Sequence, residues 1–202
     1  MEPYTGKLFK VLADQKSCHG GDHTWTPGKW VKVEGELVPC RRGIHLCREQ
    51  DLIDWLGSEI WAAEYRGDEF IVHENKVVVR EARIVTKYEN WNECTQRLIA
   101  CDFAEKVVHL CGDDLRPAEA IRVSRLYARG QATKEELAAA WAAARAAARD
   151  AAWATAWDAA RGAAWDAASA AARAAAWDAA RAAARDEMRK WQTEQLIALL
   201  NK

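Results

Sequence analysis

The chain has 202 residues, half of them apolar, with 29 basic against 30 acidic side chains and a net charge of −1. That suffices for one sizeable core or two small ones, and it argues against a nucleic-acid grip driven by overall charge. Residues 1–30 hold no apolar stretch followed by a cleavage site, and no run of 18 apolar residues is free of charges. Neither export nor a membrane span is therefore expected, and the six cysteines read as reduced thiols of a cytoplasmic protein.

Up to residue 88 the pattern is one of strands. KLFKVLA (7–13), KWVKVEGEL (29–37), EIWAAEY (59–65) and KVVVREARIV (76–85) are short, partly alternating and rich in Val, Ile, Trp and Tyr. REQDLIDWLG (48–57) interrupts them as a predicted helix, with Gly57 placed to end it. Residues 1–88 are expected to form an α+β domain with a small mixed or antiparallel sheet.

Two loops in this part, CHGGDH and CRRGIHLC, gather Cys18, His19, His23, Cys40, His45 and Cys47. Cys18, His23, Cys40 and Cys47 could supply the four N and S ligands of a tetrahedral zinc. The spacing departs from the usual close pairs, and buried free cysteines with hydrogen-bonded histidines are the plainer reading. Cys18, Gly20, Trp25, Gly28, Lys29, Glu34, Gly35, Cys40, Gly43, His45 and Cys47 resemble a small domain of unknown function in phage and bacterial proteins. His19 and Ile44 depart from that pattern, and the resemblance implies a fold and a phage or bacterial context without a chemistry. A strand followed by Gly-x-His, a helix and a further strand also faintly resembles the nicotinamide half of ADP-ribosyltransferase folds. That resemblance implies an NAD-dependent enzyme in which His45 holds nicotinamide and Glu64, Glu69 or Glu81 steers the ribose. Cys47 with His45 makes a poorer nucleophile pair, because side chains two apart on a strand share a face without aligning for proton transfer.

From residue 89 onward the pattern is helical. CTQRLIACDFAEKVVHLC (94–111) repeats apolar residues at helical spacing and ends at Gly112. Pro117 suits the first turn of a second helix running to Gly130, and Thr133 with Glu136 forms the capping box of a third. Asp102, Glu105, Arg116, Arg122 and Arg125 fall on two neighbouring predicted helices, where they are expected to form an ion-pair network centred on Asp102, Glu105, Arg116 and Arg125.

Between residues 141 and 189 every fourth position holds Trp, Arg or once Ser, with alanine filling most of the space between. Four residues advance a helix by roughly 400°, so the stripe spirals by about 40° per slot and no flat face can bury every indole. One unbroken helix from 137 to 200 would be on the order of 95 Å long with several tryptophans in water, so a packed arrangement is expected. Trp/Arg stacking and Asp/Arg pairs can hold such helices without any further role. Trp153, Trp157, Arg161, Trp165, Arg173, Trp177 and Arg181 are equally the residue types that dominate binding surfaces.

Ala100, Cys101, Asp102, Ala104, Glu105, Asp114, Arg116, Pro117, Ala120, Ile121, Arg125 and Gly130, followed by the Ala/Arg repeat, resemble an all-α, alanine-rich family of immunity proteins of bacterial toxin systems, also found in phage genomes. The resemblance covers about half of the chain and implies a non-catalytic protein that inhibits a bacterial partner by occupying its surface. The expectation is thus a 1–88 α+β domain followed by an 89–202 helical region. The predicted function is that of an immunity or phage anti-defence protein, without a required cofactor and able to self-associate through its tail.

Overall fold

The computed structural model describes residues 4–17, 23–163 and 167–202, and for residues 110, 151–163 and 167–183 the backbone alone. The fold class is α+β: six antiparallel strands come first and helices follow. The chain divides into two compact units, one of Met1–Asn92 with Lys190–Lys202 and the other of Glu93–Arg189.

In the first unit β1 is Leu8–Ala13, β2 Lys16–Ser17, β3 Val31–Lys32, β4 Ile44–Arg48, β5 Glu59–His73 and β6 Lys76–Lys87. β5 and β6 form a long hairpin with register shifts at Trp61/Ala63 and Arg66/Phe70, and Gly67, at φ 94°, lies in the second. β1 pairs with β4 through Leu8 and Phe9, and with β5 through Leu8–Leu12. β6 also pairs with β4, through Val77–Val79. The ladders therefore close a circuit β1–β4–β6–β5–β1, which leaves the short β2 and β3 on its margins and removes most of the exposed edge. Val77, Val78 and Val79 are all fully buried, since a strand paired on both sides and covered on both faces needs no polar alternate.

Two of the departures from the sequence pattern have visible causes. KWVKVEGEL contributes only Val31–Lys32 as a strand, because Gly35 turns at φ 89° and the Arg80 guanidinium takes the carbonyls of Val33 and Gly35. The expected helix over 48–57 is a 3-10 turn of Glu49–Asp54 that ends at Trp55. Asp51, only 2% exposed, receives the backbone N–H of Arg48 and its guanidinium, which tightens the turn.

In the second unit α1 is Glu93–Val107, continued as 3-10 over Val108–Cys111 and closed by Gly112 at φ 64°. α2 is Arg116–Ala128 with Pro117 in its first turn. α3 is Lys134–Ala163, and its capping box is formed: Glu136 N–H donates to Thr133 Oγ1 at 3.1 Å and Thr133 N–H to Glu136 Oε2 at 2.7 Å. α1 packs on α2 and α2 on α3, burying Ile99, Cys101, Ala120, Val123, Leu137 and Ala147. α4 is Ala167–Leu200; its last turns belong to the sheet unit, where Leu196 and Leu200 are buried and the Leu199 carbonyl accepts from Asn90 at 3.5 Å.

Gly43, at φ 135°, starts β4 where an added Cβ would overlap Val78 and approach Leu37 Cδ2 at 3.2 Å. Gly43→Ala is expected to lower stability by about 2–4 kcal/mol, from overpacking and backbone strain together. Gly67→Ala, with nothing within 4 Å, should cost only about 1 kcal/mol of strain. Urea unfolding of the two variants side by side checks the difference.

Candidate functional site

The sheet unit contains a cavity of about 560 Å³ within the range typical of small-ligand sites. Its walls come from β1, β3, β4 and the loops beside them, with Lys76 contributed by the start of β6. Val11, Val31, Val33 and Ile44 supply the apolar lining, whereas Lys10, Arg41 and Lys76 are its cations. Among the described lining residues none is acidic.

Both lysines are 7% exposed. Lys10 stands in β1 between Phe9 and Val11, donates to the His45 carbonyl at 3.1 Å and lies 5.2 Å from the Trp25 ring centroid. Lys76 lies 4.8 Å from the ring of Trp55 and donates to Cys40 Sγ at 3.1 Å. The hairpin turn that carries it is held from several sides. The Arg48 guanidinium, fixed by Asp51, donates to the carbonyls of His73 and Glu74, and Trp55 Nε1 donates to that of Asn75 at 2.8 Å. Cys40 occupies the tip of a tight turn closed between Val38 and Arg42, at φ 64°, a conformation that costs a non-glycine residue about 1–2 kcal/mol. Its N–H donates to His45 Nε2 at 3.3 Å, which assigns the ring proton of neutral His45 to Nδ1.

Charge and burial set the protonation states. Burial first, then the charges of Lys10 and Lys76, push His45 down to about 4, so the imidazole is neutral near pH 7. Burial, with Asp51 and Asp54 adding to it and the lysines opposing it, pushes the Cys47 thiol up to about 12. Cys47 is thus an inert thiol.

His23, Cys40 and Cys47 do line one cavity, while Cys18 lies outside the described residues. Among the described residues no group of three or more His, Cys, Asp or Glu can hold a metal ion. The neighbour of the Cys40 sulfur is the Lys76 ammonium, at 3.1 Å. His45 lines the cavity, but Glu64, Glu69 and Glu81 do not. They pair instead with Arg83, Arg80 and Arg66 across the strands, at 2.6, 2.5 and 2.5 Å. The carboxylate expected to steer a ribose beside His45 is therefore elsewhere on the sheet.

The helical ion pairs divide into separate groups. Arg125 joins α2 to α1 through Asp102, at 2.6 Å, and Glu105. Arg116 lies nine positions earlier, about 13 Å along the helix axis, and cannot share those partners. It pairs with Asp114 at 2.7 Å and reaches Asp150 of α3 at 2.9 Å. Arg122 pairs with Glu119. Trp141, the first aromatic of the four-residue repeat, donates from Nε1 to Ser124 Oγ and remains 44% exposed. Trp153, Trp157 and Arg161 fall in α3 and Arg173, Trp177 and Arg181 in α4, but their side chains, and Trp165 as a whole, lie outside the described residues.

The sequence reading missed Lys10 and Lys76. Its one available signal was a lysine inside the otherwise apolar LFKVLA; nothing local marks Lys76. No family model, curated protein or solved structure matches the chain. Among the described residues no helix is long and apolar enough to cross a membrane.

His45 yields a pH prediction. Its folded value lies below the unfolded one, so between pH 6.5 and about 4 the unfolded chain takes up a proton that the folded chain refuses. The stability contribution is complete above pH 6.5 and is lost on acidification towards pH 4. The full shift corresponds to about 3 kcal/mol, reduced to roughly 1–2 kcal/mol by solvent around a half-buried ring. Melting curves from pH 8 to 4 should fall more shallowly for His45→Gln than for the wild type.

Proposed function

We propose that this protein acts by binding rather than by catalysis, as a cytoplasmic immunity or phage anti-defence protein whose helical region occupies the surface of a bacterial partner. The observation that carries the first half is the chemistry of the cavity. Its imidazole is neutral with Nε2 already accepting from Cys40, its buried thiol is protonated, and the candidate carboxylates are tied to arginines away from it. A transferase needs an acid and an activated group within reach of one substrate, and this arrangement favours holding a ligand over transforming one.

The second half rests on the resemblance of residues 97–130 and the alanine-rich tail, supported by the exposed Trp141 at the start of a repeat whose residue types are those of interface anchors. Arg125 and Arg116 are taken up in joining α1, α2 and α3, so they serve the fold, and the partner surface is assigned to the Trp/Arg repeat.

Two measurements test the proposal. Incubated with NAD, the protein should release no nicotinamide above the buffer rate; release abolished by His45→Ala would instead establish a transferase. Used as bait, the wild type should retain a bacterial protein in stoichiometric amount, and a Trp157→Ala/Trp165→Ala variant of unchanged helicity should lose it by tenfold or more. Equal retention by both forms would remove the repeat from the interface.

A further inference from the structure

We propose that the cavity of the sheet unit binds a small phosphate-bearing molecule of nucleotide size, with Lys76, Lys10 and Arg41 receiving the phosphate and the valine and isoleucine wall receiving the rest. This rests on the reading of the protein as a binder and adds the class of ligand.

The argument begins with Lys76. A buried ammonium is ordinarily paired with a carboxylate, because desolvation of an unpaired charge costs several kcal/mol. Lys76 is 7% exposed and forms no ion pair among the described residues; its neighbours are the Trp55 ring and the Cys40 sulfur. An indole face and a cysteine sulfur compensate a buried cation less well than a carboxylate would. Lys10 brings a second buried ammonium to the same histidine: it bonds the His45 carbonyl, while Lys76 bonds the cysteine whose N–H meets the His45 ring. With Arg41 the lining carries three fixed positive charges, and no described lining residue is acidic. Such a site attracts anions.

Charge number and geometry narrow the class. Lys76 and Arg41 by themselves outmatch one carboxylate and suit a phosphate monoester, which carries close to two negative charges near pH 7 and three strong acceptor oxygens. Lysines serve phosphates as point charges and arginine as a planar fork. The volume exceeds what a phosphate ion fills, and Val11, Val31, Val33 and Ile44 give the remainder an apolar lining suited to a sugar and ring. The ammoniums are also held in advance: the turn bearing Lys76 is fixed by Arg48 and Trp55, so little ordering remains for the ligand to bring about.

The test is calorimetric titration of the full chain with AMP, adenosine and inorganic phosphate. AMP is expected to bind, adenosine at least tenfold more weakly, and phosphate alone more weakly than AMP. Lys76→Met removes a charge from a buried position with little change of volume and should weaken AMP tenfold or more. Arg41→Ala changes an exposed residue and should weaken AMP several-fold. Equal affinity for AMP and adenosine, indifference of AMP binding to both variants, or no AMP binding at millimolar concentration overturns the proposal. Phosphate binding as tightly as AMP overturns its nucleotide-sized part. AMP recovered intact by chromatography keeps the binding reading. AMP consumed by wild type but not by His45→Ala would overturn that reading while leaving the ligand class standing.

Discussion

Strand β6 is the member on which the sheet unit depends. It pairs with β5 along most of its length on one side and with β4 and β3 on the other, and its Val77–Val79 segment is buried on both faces. Because β1 bridges β4 and β5, the circuit closes only if β6 holds its register. A slip of one residue would move Lys76 and each residue after it to the other face and break the packing on both. The Arg48–Asp51 pair guards against that slip. It is almost wholly buried and its guanidinium grips the carbonyls of the turn immediately before β6. Loss of either partner would leave the other charge buried and unpaired.

The cavity follows from the same constraint. β4 and the start of β6 are neighbours, so the turn before β4, with Cys40 and Gly43, lies beside Lys76, and β1 brings Lys10 against the His45 carbonyl. The buried Lys76 ammonium, which has no ion pair among the described residues, works against stability. The Trp55 ring offsets part of that, and the ammoniums of Lys76 and Lys10 both help keep His45 neutral. Charge held in this way weakens the folded state and at the same time prepares the cavity for an anion.

The helical unit is built on shorter-range logic. Its termini are set by Pro117, Gly112, Gly130 and the Thr133/Glu136 box, and its helices are joined by apolar contacts and by arginines at the seams. Surface ion pairs of this kind contribute a fraction of a kcal/mol each, so Arg125 and Arg116 orient helices whose burial supplies the stability. Alanine makes the later helices form by propensity, and the aromatic and cationic residues placed every fourth position are surplus to that purpose.

Helix ends were legible in the sequence because capping and termination act over a few residues, and β1, the first half of β5 and most of β6 were legible because their apolar runs depend on burial alone. The shortened β3 and the 3-10 turn at Glu49–Asp54 were not, since a guanidinium from a distant strand and a carboxylate folding back on Arg48 decided them. The cysteine–histidine cluster was visible as residues, but its chemistry was not. Spacing marked Cys40 and Cys47 as candidate ligands, and only the fold set Lys76 against Cys40 and buried Cys47. Sequence by itself thus determined the α+β order, the helices and their caps, through interactions among near neighbours. Only tertiary structure brought Lys10, Lys76 and His45 to one cavity, because strand pairing joins residues far apart in the chain, and sequence patterns do not encode which charges it will bury together.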